Sequence, residues 1–155
     1  MDEQHKEHAE FIFTHMSMLL TEHGAIVPTY IMIVEGQLVP IMVTPQAEMA
    51  TDDYQDMVYQ IAKELNPDAI LFICEQWMIS RPPDDPEILL LINGTMKPSE
   101  QEDKESYLTL HYKNRDGDER SLMSKIHTDP AGTKYTKDQS WIVTCVSNMI
   151  EEWVI

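Results

Sequence analysis

The chain of 155 residues carries 27 Asp and Glu against 11 Lys and Arg, a formal net charge of −16, and 43% of it is hydrophobic. That length allows one domain with a real core and not two ordinary ones, and the composition is globular rather than disordered. The charge disfavours direct binding to nucleic acid or to an anionic membrane, and no apolar run approaches the ~20 residues that span a bilayer.

Residues 3–23 read as a helix, because Ala9, Ile12, Phe13, Met16, Leu19 and Leu20 follow the i, i+3, i+4 rule and Gly24 supplies a stop. Phe11 and Met18 lie off that stripe, so either a second layer of the same chain or a second copy, as a homodimer, is expected to cover them. His5, His8, His15 and His23 ride on the same helix. No carboxylate or third histidine completes a ligand spacing with His5 and His8, so no metal is expected. Residues 25–34 and 37–43 flank Glu35-Gly36 and form a hairpin, with Pro40 marking the second strand as an outer one. A helix over residues 52–65 follows, with Asp52 and Gln55 as a capping box.

Residues 69–79 then run Ala-Ile-Leu-Phe-Ile-Cys-Glu-Gln-Trp-Met-Ile. An unbroken apolar half predicts a strand covered on both faces near the middle of a sheet. Alternation places Leu71, Ile73, Glu75, Trp77 and Ile79 on one face, with a carboxylate between two apolar neighbours. A proline-rich loop spans residues 80–86, and residues 87–96 read as a further apolar strand. Residues 107–113 and 120–127 pair as a hairpin around Asp116-Gly117, residues 129–137 form a loop, and the spacing of Trp141, Cys145, Met149 and Trp153 predicts a helix over 139–152.

The resulting fold class is α+β: one domain over 1–155, with a central, mostly antiparallel sheet of five to six strands and helices packed on it, in the order αββαββ(ββ)α. The helix crossover into residues 69–79 permits one parallel pair. The order looks like profilin-type and roadblock-type domains, an analogy of fold that carries no function. At Ile73-Cys74-Glu75-Gln76-Trp77-Met78 the sequence also resembles a group of small uncharacterised bacterial and phage proteins. In that group a strand ends in a Glu-x-Trp-Met-like motif before a proline-containing loop. The resemblance implies this kind of fold and a phage or defence setting, and supplies no site residues.

Glu75 is the first candidate for chemistry, since apolar neighbours favour a neutral carboxyl group. The alternative is that Glu75 reaches water or pairs with Arg81. Glu87 is the nearest second acid. His111 and His127, on neighbouring strands, could meet and form a cluster with Asp129. Trp77 and Arg81 could line a ligand pocket. No nucleophile elbow, phosphate cradle or cofactor motif is present, so no cofactor is expected. The acidic start is unlike a secretory signal, and Cys74 and Cys145 fall in apolar segments as reduced thiols do, so a cytoplasmic location is expected. The leading expectation is a non-catalytic binding or regulatory protein whose acidic surface engages a basic protein partner or which pairs with itself. The rivals are a small hydrolase using Glu75 with His111 or His127, and a pocket that sequesters a small molecule.

Overall fold

Asp2 and Gly24 frame the first helix of the computed structural model, which describes residues 1–41, 51–78, 84–92, 95–96, 100, 102 and 104–143. The Asp2 carboxylate accepts the backbone N–H of Gln4 at 2.8 Å and of His5 at 3.4 Å, meeting two donors that the first turn leaves without partners. Gly24, at φ 77°, returns its N–H to the Leu20 carbonyl. Between them α1 (Glu3–His23) buries Ala9, Ile12, Phe13 and Leu20, the stripe its spacing predicts.

The hairpin follows. β1 (Thr29–Val34) and β2 (Gln37–Ile41) meet through Glu35 and Gly36, both at positive φ, the backbone of a two-residue turn whose twist matches its strands. β2 lies at the sheet edge, where Pro40 has no N–H to lose. After α2 (Thr51–Leu65) the chain enters β3 (Ala69–Met78). The helix thus starts one residue before the expected Asp52 cap.

β3 is the inner strand the apolar run predicts. It pairs with β1 on one side and, along its whole length, with β4 (Glu105–Asn114) on the other. β5 (Glu119–Thr128), β6 (Lys134–Thr136) and β7 (Ser140–Val143) complete a sheet ordered β2-β1-β3-β4-β5-β6, with β7 also on β5. Every pairing among the described residues is antiparallel. The α2 crossover skips over β1, so the strand that β3 parallels is β2, and the two are not neighbours. The parallel pair that the crossover permits is therefore not formed.

Three elements differ from expectation. The apolar run expected as a strand over residues 87–96 contains α3 (Ile88–Ile92). A continuous apolar run has no period to separate strand from helix, and the Asp85 carboxylate starts a turn by accepting the Glu87 N–H at 2.8 Å. The loop expected over 129–137 closes at Asp129, whose Oδ1 accepts the N–H groups of Ala131 and Thr133, and then becomes β6. The helix expected over 139–152 begins as β7; residues 144–152 lie outside the described residues. Ile142 and Val143 are β-branched and Trp141 sits opposite Leu122, so sheet pairing overrides the four-residue spacing. After the first five elements, the order departs from the profilin-type sequence of elements.

β6 and β7 are two parts of one interrupted strand. Thr136 pairs with Ile126 and Ser140 with Met123, so residues 137–139 face only residues 124–125 of β5. One extra residue in one strand is a β-bulge, which turns the chain and re-aims its side chains. The bulge also returns Trp141 to the same sheet face as Thr136.

Two cores lie on opposite faces of the sheet. Under α1, Ile31, Ile33, Leu71, Ile73, Leu108, Leu110, Tyr112 and Leu122 pack with Ala9, Ile12, Phe13 and Leu20. Under α2, Tyr30, Met32, Ile41 and Ile70 pack with Val58 and Ala62. Each fully buried aliphatic side chain contributes about 1.5–3 kcal/mol relative to exposure. No helix of the described residues is long and apolar enough to cross a membrane.

Candidate functional site

Four elements meet where the β4–β5 turn folds over the start of α1. Asn114 builds the turn: its Oδ1 accepts the N–H groups of Asp116 and Asp118, both at 3.0 Å, and Gly117 takes φ 83°. That oxygen is committed to the backbone. Arg115 then ties the turn to the α2–β3 junction. Its guanidinium donates to the carbonyls of Pro67, at 2.9 Å, and Asn66, and its Nη2 lies 3.7 Å from the Asp68 carboxylate. The α1 end is held by His5, whose Nδ1 is 2.7 Å from the hydroxyl of the buried Tyr112. Burial pushes the Tyr112 phenol up to about 12, so it stays protonated throughout the neutral range.

Between these supports lies an open cleft of about 540 Å³, lined by Asp2, Gln4, His5, Gly36, Asp68, Arg115, Asp116 and Asp118 among others. Its carboxylates come from the α1 cap, the α2–β3 junction and the β4–β5 turn. Asp118 is held below the usual carboxylate range by the amino group of Met1, 2.9 Å away, and by Arg120 at 3.1 Å. Asp2 is lowered by the two helix N–H groups it accepts. Asp116 is exposed at the rim. Asp2 and Asp118 are thus held ionised at neutral pH while the mouth of the cleft stays open.

The residues expected to carry catalysis are not brought together. Glu75 faces the α1 side of the sheet, in one cross-strand row with Leu108 and Ser124, and its Oε1 lies 3.4 Å from Lys134 Nζ on β6. Its partner is thus a lysine. Arg81, the partner considered from sequence, lies outside the described residues. His111 and His127 both project from the opposite face, in register with Phe72 and Tyr135 respectively. His111 pairs with Ser121, six residues along β5 from His127, roughly 20 Å at strand spacing. Asp129 serves its own turn, and Glu87 lies in the turn before α3 rather than on a strand that flanks β3. Among the described residues no three His, Cys, Asp or Glu side chains are grouped to hold a metal ion.

His111 has a different setting. Its Nδ1 is 2.9 Å from Ser121 Oγ and its Nε2 3.1 Å from Gln76 Oε1. The Gln76 oxygen can only accept, so Nε2 carries the proton and Nδ1 accepts from the serine hydroxyl. Burial lowers the His111 pKa and keeps the ring neutral. A hydroxyl bonded to a neutral imidazole has the parts of a nucleophile, but Ser121 is only 1% exposed, too closed in for a substrate to reach. Cys74, also buried, has its thiol raised to about 11 by burial and is inert at neutral pH.

Trp77 is 50% exposed at the end of β3, with Lys104 Nζ 4.7 Å from the centre of its ring. Trp141 is partly buried and donates to Glu10 Oε1 at 3.1 Å; Trp153 and Cys145 lie outside the described residues. Phe11 and Met18 are 69% and 57% exposed, so no second layer among the described residues covers them.

The cleft itself was not legible as a site. Asp2 read as part of an acidic start, His5 as a polar helix edge and Asp116-Gly117 as a turn. The available signal was local: a capping aspartate, an Asn-x-Asp-Gly turn, and an arginine between them. No protein-family model, curated protein or solved structure matches the chain.

Proposed function

We propose that this is a non-catalytic binding domain that takes a lysine- or arginine-bearing segment of a protein partner into the acidic cleft at the β4–β5 turn. The observation that carries the reading is the convergence of Asp2, Asp68, Asp116 and Asp118, from separate parts of the chain, on one open cleft of about 540 Å³. A net charge of −16 supports it by steering a basic partner toward the surface, an effect that fades as salt shortens the Debye length from about 30 Å at 0.01 M to about 8 Å at 0.15 M. The hydrolase alternative draws no comparable support, because Glu75 and the two histidines occupy opposite faces of the sheet.

A hexalysine peptide titrated into isotopically labelled protein tests the proposal. Amide shifts are expected at Gln4, His5 and the 114–118 turn, with affinity falling steadily as salt rises. Asp116→Lys, an exposed change, is expected to weaken binding by about tenfold. Shifts scattered over the whole acidic surface, or binding unchanged by Asp116→Lys, would overturn it.

A further inference from the structure

The other end of the sheet has the opposite character. On the face away from α1, Tyr107 of β4 stands in register with Lys125 of β5, and His127, two residues on, stacks on Tyr135 of β6 with ring centres 5.4 Å apart. Two residues on, Lys137 lies over the Tyr135 ring, 5.9 Å from its centre. Lys125 and Lys137 are exposed; the three rings are half-buried. In a strongly acidic chain, this stripe joins cations to ring faces across three adjacent strands. It also already holds a carboxylate. Glu105 Oε1 lies 3.2 Å from Lys125 Nζ, and its Oε2 accepts the Tyr107 hydroxyl at 3.1 Å.

We propose that Tyr107, Lys125, His127, Tyr135 and Lys137 form a second docking surface, which takes a short acidic segment of a partner protein. Two features of the stripe select this occupant. The way Lys125 and Tyr107 grip Glu105 is the chemistry by which they would grip an incoming carboxylate, with Lys137 beside them as a further cation. The stripe is also short, roughly 10 Å across β4, β5 and β6. A longer polyanion, with a charge on every nucleotide, runs off it into the negative field of the rest of the molecule, whereas a segment of two or three carboxylates does not. Glu105 is then an internal competitor that holds the site ordered while it is empty of partner. The proposal does not depend on the acidic cleft, which lies at the opposite end of β4 and β5.

The test is a titration of labelled protein with hexaglutamate and, in parallel, with a six-nucleotide oligothymidylate. Saturable shifts are expected with hexaglutamate at Tyr107, Lys125, His127, Tyr135 and Lys137, weakening with salt. The Lys125→Gln, Lys137→Gln double variant is expected to lose about tenfold or more in affinity. Glu105→Gln, which removes the competitor, is expected to tighten binding several-fold. Lys113→Gln, at the far end of the same strands, is the control expected to change nothing. Shifts elsewhere, or a double variant that binds like the parent, would overturn the proposal. So would tighter binding of the oligothymidylate, which would assign the stripe to single-stranded nucleic acid. Concentration-dependent shifts at these amides without peptide would assign it to a second copy and overturn it equally.

Discussion

Beneath α1 the sheet presents Ile31, Ile33, Leu71, Ile73, Leu108, Leu110 and Leu122, all buried and apolar. On the opposite face the same strands present Ile70 and Met32 under α2, and then Cys74, Thr109, His111 and Ser121. The first face is a surface of hydrocarbon closed by a 21-residue helix. The second changes from apolar to polar as it crosses from β3 to β5, and its Thr109 and Ser121 are nevertheless buried, with His111 half-buried beside Ser121. Burial on the first face is favourable in itself. On the second, each polar group needs a partner or lowers the stability. Among the described residues the buried hydroxyl of Thr109 lacks one; the buried Ser124 hydroxyl and the buried Nε2 of His8, which lack one as well, lie on the α1 side.

Neighbouring residues on β4 give the largest contrast. Leu110→Ala should cost about 2–5 kcal/mol, the usual range for a large-to-small change in a packed core. Thr109 lies one residue away on the other face, fully buried with its hydroxyl unpartnered. Thr109→Val keeps the shape and removes that hydroxyl, so it should stabilise by about 1 kcal/mol. Urea unfolding of both variants checks this. Equal destabilisation by the two would erase the distinction between the faces.

How much of this could be read from the chain follows the same division. Alternation in residues 107–113 assigned Leu108, Leu110 and Tyr112 to one side and Tyr107, Thr109 and His111 to the other, and the structure keeps that assignment. Helix α1, the hairpin with Pro40 at its edge, and the inner strand β3 were legible because periodicity, turn glycines and an unbroken apolar run are local signals. The α3 segment and β7 were not, since Ile88-Leu89-Leu90-Leu91-Ile92 suits either state and the Trp141 pairing with Leu122 is made across the sheet. The bulge was illegible for a stricter reason: it exists only as an excess of one residue between two registers. Nor was it legible that Asp2 and Asp116 line one cleft or that Gln76 meets His111, since only the tertiary fold brings them together.

Acid should distinguish the faces next. His111 is the half-buried titratable group of the polar seam, and its folded-state pKa lies below the ordinary 6.5. The unfolded chain therefore binds a proton more readily, and stability is lost on acidification. The contribution is fully present above pH 6.5 and disappears as pH falls through the folded-state value. His111→Gln removes the titration while keeping hydrogen-bonding capacity for Ser121 and Gln76. The difference in urea midpoint between parent and variant should therefore drift with pH below 6.5 and stay constant above it. A difference that is flat from pH 7.5 to 5.5 would show that the ring is hydrated and the seam open.

The smallest effect is expected at Glu75, where the α1 face stops being apolar. Its carboxylate is a quarter exposed and its partner Lys134 more than a third, at 3.4 Å. Ion pairs so placed contribute about 0–1 kcal/mol because water and salt screen them. Glu75→Gln should thus cost less than about 1 kcal/mol, and 0.5 M salt should remove most of that. The substitution matters for its neighbours: the pair joins β3 to β6, from the row Glu75 shares with Leu108 and the buried Ser124 to the row Lys134 shares with Thr128. If the pair only closes the edge of the α1 core, Gln at 75 leaves the amide shifts of β6 in place. If it positions the bulge, those shifts move, and hexaglutamate affinity at Lys125 and Lys137 falls with them. Measuring both on the same variant separates a carboxylate that ends a core from one that shapes a docking surface on the other side of the sheet.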